Sequence, residues 1–303
     1  MRVTFLGTAA ARPTVSRNVS SVVVQREGEL MMFDCGEGTQ RQMMRYGSGF
    51  AVDDIFFSHM HADHFLGVIG LLRTMGLQGR EGAVRLWAPL GSESVLDQAV
   101  HLGVERVPFE VQVAGISPDQ VLDRGEYSII PFRSHHGGPS LGYSIVEKPR
   151  LGRFNPERAR ELGIPEGPLW GRLHQGHPVE VDDRTVLPAD VVGAPRPGRK
   201  LVYTGDTRPS RETVRAADRA DLLIHEATFG HDENERARQT GHSTAREAAT
   251  VARQANVLRL VLTHFSPRYA DDARGLEREA RKIFPETVAA HDGLALDVPY
   301  RDG

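Results

Sequence analysis

Short apolar runs rich in β-branched residues recur along the chain, each closing on polar or small residues. They are RVTFLGT (2–8), LMMFDCG (30–36), DIFFSHMH (54–61), YSIIPFRSHH (127–136), KLVYTGD (200–206), LLIHEAT (222–228) and LRLVLTHF (258–265). Runs of this length and make-up predict strands. Between them lie helical patterns such as HFLGVIGLLRTMG (64–76) and TAREAATVARQANV (244–257), so strands and helices alternate as in an α/β protein. In such sheets ligands sit outside the carboxyl ends of the strands. The polar residues that end these runs are therefore candidates for one shared site. From 148 to 199 the character changes to proline, glycine and arginine. A small helix is expected inside that stretch, with Asn155 as cap, Pro156 in the first turn, and Gly163 with Pro165 ending it. The plan is a single domain, 1–303, carrying one insertion at 148–199.

Composition narrows the class. The chain has 303 residues, 40% hydrophobic and 25% charged, which is ordinary globular content. The N-terminus lacks the apolar core of a signal peptide, and no run of about eighteen apolar residues occurs. A soluble, cytoplasmic protein with no membrane partner is expected. The single cysteine, Cys35, excludes an internal disulfide and a cysteine-built zinc site, so any metal must be held by nitrogen and oxygen. Net charge is −3, and a nucleic-acid role would need a local basic patch. Only Lys148, Lys200 and Lys282 are lysine. The preference for arginine suits phosphate recognition, and a coding bias explains it equally well.

The densest chemistry is SHMHADH (58–64). His59 and His61 are two apart at a strand end and face the same way, and Asp63 and His64 follow where the chain turns into a helix. That is more than one tetrahedral zinc requires, which suggests two adjacent metals. Other strand ends offer the missing ligands: His136, Asp206 and His264. Any one of these alone is more often a turn or capping residue. His136 is favoured over His135 by its spacing to Gly142 and Tyr143, although the doublet leaves both open. With Asp206 bridging, one metal would take His59, His61, His136 and Asp206, and the other Asp63, His64, Asp206 and His264. Two metals about 3.5 to 4 Å apart generate hydroxide at neutral pH and clamp both oxygens of a displacement. The expected chemistry is hydrolysis, with two zinc ions per subunit, or manganese in their place.

The HMHADH motif, with the later His136, Asp206 and His264, resembles the metallo-β-lactamase superfamily, whose fold is a four-layer αββα sandwich. Within it, FDCGEGTQRQ (33–42), GDTRPS (205–210), HEATF (225–229), GHST (241–244) and THFSPRY (263–269) resemble the ribonuclease Z family of tRNA 3′-processing endonucleases, in its short form, almost end to end. The resemblance implies that the insertion is an exosite arm clamping the tRNA body. GIPEGPLWG (163–171) matches its Gly-Pro segment at Gly167 and Pro168, and Arg150 and Arg153 are candidate phosphate contacts. Residues 150–175 hold five arginines, at 150, 153, 158, 160 and 172, against glutamates 157, 161 and 166. By itself such a mixture is a solvated surface.

The resemblance also assigns roles. Asp63 ligates metal and orients or deprotonates the attacking water. Glu226 and His242 help the leaving 3′ oxygen acquire a proton, a suitable task for an imidazole near neutral pH. Thr244 and Glu247 form a capping box on their own account. Asp34 and His225 are expected to orient ligands. PTVSRN (13–18) matches the family's loop at Pro13, Arg17 and Asn18, which makes Arg17 and Asn18 candidate contacts to the tRNA 3′ end. Val15 stands where a basic residue is common, so the response to an encoded CCA is open. The substrate implied is precursor tRNA, and the assembly implied is a homodimer. Two alternatives remain: a superfamily hydrolase acting on small substrates, and a non-catalytic RNA-binding module with a structural metal.

Overall fold

Side chains alternate across each strand, and here both faces of most strands are apolar, so each sheet must be covered twice. In the computed structural model the first sheet contains β1 (Arg2–Gly7), β2 (Ser21–Arg26), β3 (Glu29–Phe33), β4 (Val52–Phe56), β5 (Val84–Pro89) and β6 (Val111–Ile116). The second contains β7 (Leu122–Asp123), β8 (Tyr127–Arg133) and β9 (Leu141–Glu147). After a separate hairpin of β10 (Val179–Val181) and β11 (Arg184–Val186), it continues with β12 (Lys200–Tyr203), β13 (Leu222–Glu226), β14 (Leu260–Thr263) and β15 (Thr287–Ala289). The last strand, β16 (Ala295–Asp297), returns to the first sheet. The orders are β16-β1-β2-β3-β4-β5-β6 and β15-β14-β13-β12-β9-β8-β7. The structure describes residues 1–104 and 106–301; Glu105 and the last two residues of the expected 1–303 span lie outside the described residues.

Three apolar clusters make four layers. Val22, Val24, Met31 and Phe33 of the first sheet meet Ile129, Tyr143, Ile145, Leu201 and Ile224 of the second, forming the core between the sheets. The intervening residues Val23, Leu30 and Met32 face outward against α1 (Thr39–Tyr46), α3 (Gly67–Leu77) and α4 (Glu93–Val100). On the far side Val202, Leu223, Leu260 and Leu262 pack against α7 (Arg211–Ala216), α9 (Ala245–Gln254) and α10 (Arg274–Arg281). This is the αββα sandwich. All seven expected runs contain strands. The first helical pattern is divided: α2 (Ala62–Phe65) ends at Leu66 before α3 begins. The division sits at a close approach, since a Cβ on Gly67 would lie 1.9 Å from the Gly36 carbonyl oxygen. Glycine there lets the FDCG loop press against the turn that carries Asp63 and His64.

The chain separates into two compact units: Met1–Val146 with Lys200–Val298, and Glu147–Arg199 with the tail from Pro299 onward. The second unit thus begins one residue before the expected insertion and takes in the C-terminal tail. It has its own core of Ala159, Ile164, Leu173, Val179, Val181, Val186 and Val191. Its first helix is α5 (Pro156–Glu161), where the Asn155 side chain accepts a hydrogen bond from the Arg158 amide, as the cap pattern requires. A second, α6 (Pro168–His174), follows Gly167, whose φ of 132° is open only to glycine. No helix among the described residues is long and apolar enough to cross a membrane.

Candidate metal centre

Parallel strands β3 to β6 and β12 to β15 each run side by side, so the turns after β4, β12, β13 and β14 gather at strand carboxyl ends. The turn after β4 and the short α2 that follows carry His59, His61, Asp63 and His64; Glu226 is the last residue of β13, and the turns after β12 and β14 carry Asp206 and His264. His136 arrives on the loop after β8. Gly205 has φ +57°, and a Cβ there would lie 2.5 Å from Ser58 Cβ, so glycine allows Asp206 to approach the turn carrying His59.

The ligand atoms of His59, His61, His136 and Asp206 all lie within 4.8 Å of one another, as do those of Asp63, His64 and His264. Asp206 joins the two groups. Its Oδ2 is 3.7 Å from His59 Nε2, 3.9 Å from His136 Nε2 and 3.3 Å from His64 Nε2; its Oδ1 is 3.3 Å from His264 Nε2. Asp63 Oδ2 lies 3.4 Å from His264 Nε2 and 3.5 Å from His64 Nε2. His135 stays outside and meets Glu212, whereas His136 faces the cluster.

The donor set fits a divalent cation. Four imidazoles have their Nδ1 held from outside: His59 by Ser58 Oγ at 3.0 Å, His64 by Asp34 at 2.8 Å, His136 by the Gly241 carbonyl at 2.9 Å and His264 by Thr228 Oγ1 at 2.9 Å. Each Nε2 is thereby turned inward, the arrangement that fixes a metal-binding tautomer. His59 Nε2 and Asp206 Oδ1 are buried with no hydrogen-bond partner. Buried polar atoms are rarely left so without a reason. Electrostatics agree. Burial works against charge on Asp206, yet His264, His64 and His59 hold its carboxyl well below the usual range. Burial likewise opposes a proton on His64, and Asp206, Asp34 and Asp63 override it and push the imidazole up. His59, buried among other imidazoles, is pushed well down. Positive charge is favoured beside the carboxylates, at His64, and disfavoured at His59.

Beside it stands a second pair. His242 Nδ1 is 2.9 Å from Glu226 Oε1. Burial disfavours the imidazolium, but Glu226 more than compensates and raises its pKa to about 9. Glu226 is itself fixed by the amides of Thr207 and Thr228 at 3.0 and 3.1 Å and by Thr228 Oγ1 at 2.7 Å. The capping box forms as the sequence suggests: Thr244 Oγ1 accepts from the Glu247 amide, and Glu247 accepts from that of Thr244. Arg208 ties this turn to the Asp206 turn by donating to the His242 carbonyl and to both Glu247 oxygens.

Several expectations change. Arg17, expected to face substrate, is buried, and its guanidinium donates to Thr8, Ala270 and Ala290. Asn18 is turned inward as well: its amide donates to Asp292 and its side-chain nitrogen is buried. Arg150 lies 3.7 Å above the Tyr300 ring and donates to the Arg301 carbonyl, so its charge serves the C-terminal tail. Arg153, Gly167 and Pro168 are exposed. Asp34 holds the candidate ligand His64 while accepting from Ser58 and from the Tyr203 hydroxyl at 2.6 Å. His225 instead meets the Glu226 carbonyl at 2.7 Å. Sequence reasoning missed Ser58, Thr228, Arg208 and the Ala11 amide, which donates to Asp63 Oδ2 at 2.7 Å. Ser58 and Thr228 lie inside the quoted motifs and could have been weighed there; a backbone amide leaves no mark in a sequence.

The metallo-β-lactamase superfamily matches residues 15–264. Ribonuclease Z of Gemmatimonas aurantiaca is 56% identical over 98% of this chain and 95% of its own length. That of Myxococcus xanthus is 52% identical over 100% and 99%. The chain belongs to the ribonuclease Z family. Among solved structures, the short form of human tRNase Z superposes with a TM-score of 0.72 at 30% identity, covering 99% of this chain and 100% of that one. Membership makes the chain a nuclease of tRNA 3′ processing. Neither alternative, a small-substrate hydrolase or a non-catalytic binding module, is favoured.

Proposed function

We propose that this ribonuclease Z is a dinuclear zinc endoribonuclease that cuts precursor tRNA after the acceptor stem, leaving a 3′-hydroxyl on the tRNA and a 5′-phosphate on the trailer. The observation that carries this reading is a surplus of inward-facing ligand atoms, bridged by Asp206, beside a proton-bearing His242–Glu226 pair. His59, His61, His136 and Asp206 would hold one ion, and Asp63, His64, Asp206 and His264 the other. Bound zinc, or manganese, supplies Lewis acidity toward the phosphate and makes water a nucleophile near neutral pH. Asp63 would orient or deprotonate the attacking water. His242, kept protonated by Glu226, donates to the departing 3′ oxygen. Residues 148–199 act as the arm that grips the tRNA body, with Arg153 and the Gly167–Pro168 turn on its exposed surface. The enzyme works as a homodimer in the cytoplasm.

The deciding experiment maps the cut made by zinc-loaded protein on precursor tRNAs with and without an encoded CCA, before and after chelation. Cleavage next to the discriminator, lost on chelation and in Asp63→Ala, is expected. An Asp63→Ala enzyme as fast as wild type would refute the assignment. Val15, fully exposed at the loop tip, makes the CCA arm informative, because no basic side chain stands there.

A further inference from the structure

The loop between β1 and β2 is anchored at both ends and along its length. Thr14 and Arg17 close it on itself, the Thr14 amide donating to the Arg17 carbonyl at 2.8 Å and the Arg17 amide to Thr14 Oγ1 at 2.9 Å. Arg17 Nε donates to the Ala270 carbonyl at 2.8 Å, and Nη1 to Thr8 Oγ1 at 2.7 Å and the Ala290 carbonyl at 2.8 Å. The guanidinium carbon sits 5.0 Å from the centre of the Phe265 ring. Ser16 Oγ adds bonds to Ala270 and Asp271. At the other end of the loop the Ala10 amide donates to the Phe265 carbonyl, and Phe265 directly follows the candidate ligand His264. Between these anchors Ala11 is held at φ +63°. A residue with a Cβ persists in the left-handed region only where its surroundings over-determine it. In that conformation its amide meets Asp63 Oδ2 at 2.7 Å.

We infer that this loop positions the catalytic carboxylate: the Ala11 amide fixes the rotation of Asp63, and Arg17 is the strut that keeps the amide in place. Asp63 Oδ2 is the oxygen that also faces His64 and His264. An amide bond to that oxygen directs its remaining lone pair toward the cluster. Arg17 is a positioning residue and not a reader of RNA. Its side chain is buried, and three of its five donors are occupied by Thr8, Ala270 and Ala290. Losing Arg17 therefore affects chemistry on every phosphodiester, whatever its size.

This rests on Asp63 acting in catalysis, so the test has one arm independent of turnover. Amide exchange of Ala11 is followed in metal-free wild type, Arg17→Ala and Arg17→Lys. Cleavage of precursor tRNA and of bis(p-nitrophenyl) phosphate is followed in the zinc-loaded forms. Arg17→Ala is expected to speed Ala11 exchange about ten-fold or more and to lower kcat on both substrates by a similar factor of about ten, with KM for precursor tRNA within about two-fold. Arg17→Lys, which keeps the charge but not the fork, shows the same pattern more weakly and serves if the alanine variant does not fold. A raised KM for precursor tRNA, with Ala11 exchange and diester kcat unchanged in a folded variant, overturns the inference and makes Arg17 an RNA contact. If wild type fails to cut precursor tRNA, the proposed function falls, while the exchange and diester measurements still decide the role of Arg17.

Discussion

His242 carries a proton through neutrality because Glu226, at 2.9 Å, outweighs the burial that would strip it. A general acid raised in this way works below its pKa and fails above it, so kcat falls as pH rises through about 9. Glu226→Gln removes the carboxylate and moves that basic limb to lower pH, which a pH–rate profile on precursor tRNA reads directly. A limb left in place would take the role from the pair. His242→Ala lowers kcat about 10²- to 10⁴-fold with little change in KM; a loss confined to KM would make His242 a binding residue. At this scale the sequence was most informative where ligands cluster, because three histidines and an aspartate within six positions have few other uses. It did not show the contacts that Arg17 and Arg150 make within the chain. An arginine in a loop looks the same whether its fork meets a phosphate or its own backbone carbonyls and a tyrosine ring, and only the fold decides between them.

Strands are joined by side chains that outlast their backbone ladders. Asp54 on β4 is the register partner of Arg85 on β5 and accepts from it at 2.7 and 2.6 Å, from Trp87 Nε1 at 2.8 Å and from Arg124 at 3.0 Å. Burial alone would raise this carboxyl, but Arg85, Trp87 and Arg124 hold it below its usual value. A depressed folded pKa gives stability that is present above the unfolded value of about 3.9 and disappears as pH falls through the folded one. Asp54→Asn should lose about 2 kcal/mol at neutral pH in denaturant melts, with the gap to wild type narrowing below about pH 4. A gap constant with pH would mean that the charge plays no part. In the second unit, Tyr300 lies between Arg150 and Arg199 at 3.7 and 3.8 Å, and Arg199 also holds Glu147 at 2.7 Å. The tail thus joins the two ends of the insertion. Deleting residues 150–190 should lower kcat/KM on precursor tRNA about 100-fold or more while sparing bis(p-nitrophenyl) phosphate, since remote contacts act only on the larger substrate; equal losses would remove the arm from recognition. Seven of the longer strands, β1, β3, β4, β8, β12, β13 and β14, were legible as apolar runs closing on polar residues, whereas β2, β5, β6 and β9, of six or seven residues, were not picked out. The two- and three-residue strands β7, β10, β11, β15 and β16 were not, because so few positions show no period. The tail's place in the second unit could not be read either, because it depends on contacts about 150 residues apart in sequence.

The sandwich is held together by one apolar layer between its sheets, and the candidate metal centre lies at its edge, where turns of the two sheets meet. His59, His61, Asp63 and His64 follow β4 of the first sheet; His136, Asp206 and His264 follow β8, β12 and β14 of the second. Strand order within each sheet, and therefore which turns meet, is a long-range property that the local pattern did not reveal; the meeting was inferred only from the shared polar endings. Its consequence is a test of the metal reading that needs no substrate. A ligand that binds the folded chain alone stabilises it by RT ln(1 + [L]/Kd), about 4 kcal/mol at a thousand-fold excess over Kd. At roughly 2–4 °C per kcal/mol for a domain of this size, zinc-loaded protein should melt about 8–16 °C above the chelated form. Asp206→Ala should lose most of that difference, because Asp206 faces histidines of both groups. Asp54→Asn should lower the melting temperature of both forms together and leave their difference intact, since Asp54 lies outside either group. Calorimetric scans with and without chelator separate the cases. Equal melting of loaded and stripped wild type would mean that the inward-facing imidazoles do not close around a cation, and the hydrolytic reading built on them would have to be abandoned.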